Sequence, residues 1–367
     1  MKILNSHRLF SYILIFMSTT TNNRDTSIDI IKAIAIIAVV IGHACNTDAF
    51  GGTVPNFILK FVYIFHLPVF FYCSGYIYKD RPIKKRLWSI LRHQYIPTTI
   101  YTLGSFCLLP IFTRLQLTGF YSNEDIKKRI TDTLVYNPRG VLVGALWFMP
   151  FFTVATLIFW ILNIVSRKNR SLLLILTVIL GIVGIVYQYS SITKPYYLDY
   201  ALRMQPVLAL GLISKEYKLN DHIKKHARIV ASSSTILLLA VTFLYYAHGN
   251  RADNHHAITG IIYFPAIILG IAFCSSLAEL IGTSRINKYV SYIGQHTFVI
   301  MAMHFQAFKL VDLVLSKVFK QTYDTTIFPV SNPAWYARCL YVVVGMSIPL
   351  LVIHLINRVR KLFKKQS

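Results

Sequence analysis

The hydrophobic and polar positions of this chain follow one repeating pattern: apolar runs of about twenty residues, long enough to cross a bilayer as helices, separated by short polar connections. The runs fall at 28–45, 54–78, 88–113, 141–165, 171–190, 196–213, 229–247, 257–281, 290–311 and 335–356. They predict an all-α, polytopic membrane bundle of about ten transmembrane helices. The sixth run is the weakest, because Arg203, Gln205 and Pro206 interrupt it. Residues 1–23 are expected to form an N-terminal extension: its apolar stretch Leu9 to Met17 is too short to span and no small-residue cleavage pattern follows. A single membrane domain is then expected over 24–367.

Composition agrees with a membrane protein. The chain of 367 residues is 55% hydrophobic and only 14% charged, against about a quarter charged in soluble domains. The formal net charge of +24 does not point to nucleic acid, since Lys and Arg lie in short clusters between the apolar runs and not on one folded face. The partner these clusters imply is the bilayer. Arg81, Lys84, Lys85 and Arg86, then Arg167, Lys168 and Arg170, then Lys215 to Arg228, and finally Arg358 to Lys365 all fall on one side. The positive-inside rule therefore puts both termini in the cytoplasm. The loop Arg114 to Gly140 runs against it with Lys127, Lys128 and Arg129, but it is long and contains Glu124, Asp125 and Asp132. Cysteines 45, 73, 107, 274 and 339 are scattered singly and suggest neither a disulfide framework nor a metal site.

The first run, S-I-D-I-I-K-A-I-A-I-I-A-V-V-I-G-H-A-C, carries Asp29, Lys32 and His43. At 100° per residue Lys32 and His43 project from one face, about 16 Å apart along the axis, and Asp29 falls on the same stripe. Ionisable groups in a spanning helix usually face a bundle interior or a wet cavity, which makes the stripe a candidate site. The alternative is interfacial, with Asp29 and Lys32 snorkelling to one surface and His43 at the other.

Other runs carry matching groups. The second contains F-H-L-P-V-F-F-Y-C-S-G-Y, with His66 mid-span, Pro68 favouring a kink, and Ser74-Gly75 as a small-residue contact point. Alone, His66 reads equally as a core histidine bonded to a neighbouring helix. Trp147 and Pro150 open the fourth run; His296 and His304 lie in the ninth. Counting 1.5 Å per residue, His43, His66 and His304 lie about 22, 18 and 21 Å from the cytoplasmic boundary, with Trp147 at a comparable level. Polar groups so deep need partners, and one another is the economical choice.

These segments together resemble the integral-membrane acyltransferase-3 proteins, bacterial enzymes that acylate cell-surface carbohydrates. The resemblance rests on I-D-I-I-K-A-I-A-I-I-A-V-V-I-G-H, F-H-L-P-V-F-F-Y-C-S-G-Y, K-K-R-L-W-S-I-L-R-H-Q-Y-I-P, L-W-F-M-P and I-G-Q-H-T-F-V-I-M-A-M-H, in that order, from about Arg24 to the tail. The family's first-helix motif is an Arg, ten residues, then a His. This chain has the His at His43 and Lys32 at the basic position, as in a branch that looks like fucose 4-O-acetylases and related polysaccharide O-acetyltransferases. Lysine keeps the cation and loses the bidentate fork.

The resemblance implies no bound cofactor, cytoplasmic acetyl-CoA as donor, a hydroxyl of a surface glycan or lipid-linked oligosaccharide as acceptor, and a multi-pass protein of the bacterial inner membrane. His43 then serves as general base or transient acyl carrier, with Lys32 at the donor phosphates and His66 and His304 as orienting or acceptor-binding partners. Asp29, Trp147, Arg24, Arg86 and Arg92 complete the expected binding residues; topogenic charge explains the arginines equally well, and packing or interfacial anchoring is the alternative for Trp147. A transporter or flippase for a lipid-linked glycan is the alternative, against which stand the motif set and the absence of repeat symmetry.

Overall fold

A computed structural model describes residues 25–46, 52–247 and 257–366. Arg24 and the extension 1–23 lie outside the described residues. In chain order the elements are α1 (Thr26–Ala44), α2 (Thr53–Tyr63), α3 (Pro68–Tyr76) and α4 (Ile83–Ile90), which runs through a π-helical turn, Leu91–Tyr95, into α5 (Ile96–Arg114). Then follow α6 (Asn123–Leu134), a 3₁₀ segment, Val141–Trp147, leading into α7 (Phe148–Val165), then α8 (Arg170–Tyr189), α9 (Leu198–Arg203), α10 (Gln205–Glu216), α11 (Leu219–Lys225) and α12 (Ala227–Ala247). Last come α13 (Ala257–Gly282), α14 (Asn287–Gln295), α15 (Thr297–Leu313) with a π-helical turn at Val314–Val318, and α16 (Trp335–Gln366). No β-strand occurs among the described residues.

Nine helical segments among the described residues are long and apolar enough to cross a membrane. The difference from the predicted ten lies in the sixth run, which is not one helix but the pair α9 and α10, joined at Met204. Two residues account for the joint. Pro206 has no N–H to donate and suits the first turn of a new helix, and Arg203 turns inward to pair with Asp199 at 3.4 Å. The long loop 114–140 also holds unforeseen structure in α6, where Ser122 and Asp125 form a reciprocal capping box. The Ser122 bonds hold the Asp125 carboxyl below its ordinary range. The ninth run starts late, at Thr297, because the chain breaks at His296 and leaves α14 as a separate helix.

α1 sits at the centre. Asp25 caps its N-terminus by accepting from the Ser27 and Ile28 amides, and α2, α3, α13, α14, α15 and α16 all pack on it. Two-thirds of the apolar window of α1 and of α15 is buried, against 22% for α8. α8 lies at the rim and presents Ile175, Ile179, Ile182 and Val186 outward; in a bilayer such a face meets lipid at no cost.

Two glycine contacts set the spacing around the site. A Cβ on Gly75 would strike the Leu208 carbonyl, and one on Gly211 the Tyr72 carbonyl. α3 and α10 therefore touch backbone to backbone, as the small Ser74-Gly75 pair in the sequence suggests. Likewise Gly294 lies directly on the Asp29 carbonyl and lets α14 close on α1.

Candidate active site

His43 occupies the last turn of α1. Its ring stacks on His304 of α15, with centroids 5.3 Å apart and planes 24° from parallel, and meets the edge of Phe305 at 4.8 Å. His304 is completely buried. Its Nδ1 lies 3.0 Å from the Ile300 carbonyl, which can only accept, so Nδ1 carries the proton and Nε2 keeps the lone pair. Nε2 has no partner among the described residues.

His66 lies in the non-helical turn between α2 and α3, where Pro68 cannot donate to the turn before it. Its Nδ1–H donates to the Val62 carbonyl at 3.0 Å, which again leaves Nε2 as the acceptor, and its ring lies against Tyr63 at 4.5 Å. His43, His66 and Trp147 line one cavity of about 160 Å³ inside the bundle, together with Tyr63, Tyr200 and Tyr263. Trp147 stands at the junction of the 3₁₀ segment and α7, parallel to Phe151 at 5.6 Å and against Tyr197 at 4.7 Å. His304 does not line this cavity; it backs His43.

The remaining predicted residues lie elsewhere. Lys32 bonds to Asp29 at 2.7 Å, one turn away on α1, and its side chain is 18% exposed against 3% for Asp29. Neither lines the histidine cavity. Arg86 donates to the Thr156 carbonyl of α7 at 2.9 Å and lies over the Tyr78 ring. Arg92 is in the π-helical turn, also away from the cavity.

One group escaped the sequence. Arg203, 2% exposed, presses its guanidinium 3.8 Å over Tyr200 and 5.4 Å from Tyr263, two rings of the cavity wall. Its only sequence signal was that a cation interrupts an apolar run. Beyond the histidines, Lys309 donates to Asp312 at 3.1 Å and to the Thr325 and Ile327 carbonyls at 2.7 Å, while Asp312 accepts from Ser331 and from the Tyr341 hydroxyl. This buried, satisfied network pins the loop 319–334, and Phe328 of that loop rests on Phe305 at 4.6 Å. Arg338 donates to the Pro333 carbonyl and, at 2.7 Å, to the Ala44 carbonyl. It thus neutralises the end of α1 beside His43.

A family model described as an acyltransferase domain matches residues 25–354. The chain belongs to the acyltransferase-3 family and is a membrane acyltransferase; a carrier that performs no acyl transfer is thereby set aside. It is similar to nodulation protein NolL of Mesorhizobium japonicum, 23% identical over 317 residues that cover 80% of this chain and 79% of that protein. NolL of Sinorhizobium fredii is 21% identical over 317 residues, covering 81% of each. No solved structure matches.

Proposed function

We propose that the chain transfers an acetyl group from cytoplasmic acetyl-CoA to a hydroxyl of a cell-surface polysaccharide or its lipid-linked precursor. It does so in a bacterial inner membrane, as one domain over 24–367 with both termini cytoplasmic. The observation that carries this reading is the cavity inside the bundle where His43 and His66 meet the Trp147 and tyrosine rings. Transfer to a hydroxyl needs a base that is neutral near pH 7, and imidazole is that base. The acceptor O–H gives its proton to His43 as its oxygen bonds to the thioester carbonyl carbon. Collapse breaks the C–S bond, and the proton passes from His43 to the departing sulfur. The products are an acetyl ester and CoA thiol, and His43 is neutral again.

His304 orients His43 through the stacked ring, while His66 and Trp147 hold the acceptor, whose sugar face suits an aromatic wall. Lys32, about 16 Å below His43 on the same helix, supplies a cation for the donor phosphates, with Asp29 fixing its direction. Arg24 serves the same phosphates. Arg86 adds charge there while it stays bound to α7. The relatives' description as nodulation proteins is compatible with an acceptor at the cell surface. The test is a membrane-fraction assay with acetyl-labelled CoA: alkali-labile label in the glycan fraction supports the proposal. Label that never leaves CoA, or that reaches only water, overturns it.

A further inference from the structure

A second hollow, of about 490 Å³, lies between α5, α15 and α16, on the face of α15 opposite His304. Phe298, Val299 and Met303 of α15 point into it, whereas Met301, His304 and Phe305 point toward His43. It is therefore separate from the acyl-transfer cavity. Along α5 it runs from His93 past Gly104 to Leu108, about 22 Å at helical rise. One leaflet, counting half the hydrocarbon core and its headgroup layer, has that depth.

The two ends differ in chemistry. The deep part is walled mainly by Leu108, Met303 and Val352, with Ser105 and the Gln306 amide as its polar groups. The shallow end holds His93, with Arg92 beside it in the π-helical turn and, preceding it, α4, where Lys84 and Lys85 are exposed among the exposed Leu87 and Trp88. That amphipathic basic stretch is suited to a headgroup interface. Just inside lies Tyr101, its ring against Phe298 of the first turn of α15 at 5.5 Å and its hydroxyl buried without a partner among the described residues. A basic rim, then a hydrogen-bond donor, then a mainly apolar channel matches the order of groups in a phospholipid: phosphate, ester carbonyl, chain.

The geometry points to a lateral binding site for one anionic diacyl phospholipid, its phosphate at Arg92 and His93, an ester carbonyl on Tyr101 and one acyl chain along the α5 face past Gly104. Gly104 provides the means to test it, since a Cβ there meets nothing within 4 Å. A large side chain at that position fills the channel without disturbing the helix packing.

The experiment is photolabelling of the full chain in phosphatidylcholine nanodiscs, using phosphatidylglycerol with a diazirine at the end of one acyl chain. Label is expected on peptides around Leu108 and Met303, displaced by unlabelled phosphatidylglycerol and not by added phosphatidylcholine. Gly104→Trp should lower that label about tenfold by steric exclusion, whereas Gly104→Ala leaves it. His93→Ala should weaken the preference for the anionic lipid, whereas Tyr101→Phe should lower the label without changing that preference. Label spread evenly around the bundle, or unchanged in Gly104→Trp, overturns the site. Equal displacement by phosphatidylcholine overturns its selectivity for charge. The map on the unaltered chain decides the matter even if a variant fails to accumulate.

Discussion

Replacing His304 separates packing from chemistry. The ring is fully buried and touches His43, Phe305 and Phe308 at 5.3, 4.1 and 5.6 Å between centroids. In His304→Ala those contacts vanish and a void remains. Deletions of buried aromatic rings cost about 3–5 kcal/mol in water-soluble cores. Imidazole is smaller, and a bilayer supplies no transfer term from water, so about 2 kcal/mol of lost packing is expected here. The larger effect is on rate. His43 loses the surface that fixes its plane, and a displacement of about 1 Å at a reacting group costs about a hundredfold. His304→Phe restores a flat ring of similar size without the nitrogens, and it should return the rate to within about tenfold of the unaltered chain if stacking is the whole of the role. The assay is initial acetyl transfer in membranes with matched protein amounts, alongside thermal unfolding in detergent. A His304→Ala chain that transfers normally refutes the orienting role. A His304→Phe chain as stable as the original yet no faster than His304→Ala refutes the stacking account and moves the role to the buried Nε2.

His43→Ala should abolish transfer in chains that still insert and accumulate, with His66→Ala severe but leaky; near-normal label transfer by His43→Ala removes the base from the mechanism. Lys32→Ala removes one partner of a carboxylate that is 3% exposed. A loss of about 3–5 kcal/mol is typical of such a broken pair. Transfer rate against acetyl-CoA concentration should show weakened donor use, with Lys32→Arg retaining substantial activity; unchanged donor kinetics in Lys32→Ala would exclude a donor-side role. Gly75→Val should prevent α3 from closing on α10 and lower the folded yield in size-exclusion profiles, whereas Ser74→Ala should not. Reporters fused after Ser367 and within Arg167 to Arg170 should read cytoplasmic and one near Asn254 external; an external C-terminus would reverse the proposed orientation.

Helix positions were legible because hydrocarbon leaves a spanning backbone no partners but its own, so length and apolarity carry most of the signal. The common level of His43, His66, His304 and Trp147 followed from counting rise per residue. Rotation about each helix axis did not: that His304 faces His43 rather than the cavity depends on how Gly345 admits Phe308 and how Phe328 leans on Phe305. These contacts join residues distant in sequence. The Asp29–Lys32 pair could be read from a spacing of three residues. Pro206 marked the break after Arg203, but the inward seat of the guanidinium could not be read, since it depends on the buried Asp199 partner and on the Tyr200 and Tyr263 rings. Arg86 shows the same limit, for a basic cluster looks alike whether its members reach water or a carbonyl such as that of Thr156.

The Arg338 clip on the Ala44 carbonyl joins positions 294 residues apart. Ribosomes add about 5–20 residues per second, so the helix bearing His43 waits roughly 15–60 seconds in the membrane before its C-terminal carbonyl meets that guanidinium. Until α16 arrives, the end of the first helix has lost neither its uncapped carbonyl nor its freedom to tilt. A nascent chain, or one cut short by a premature stop, therefore has its histidines inserted without the cap on the Ala44 carbonyl. Under the proposed mechanism the base is in the membrane before the clip that caps its helix, so full competence for acyl transfer waits for the close of synthesis.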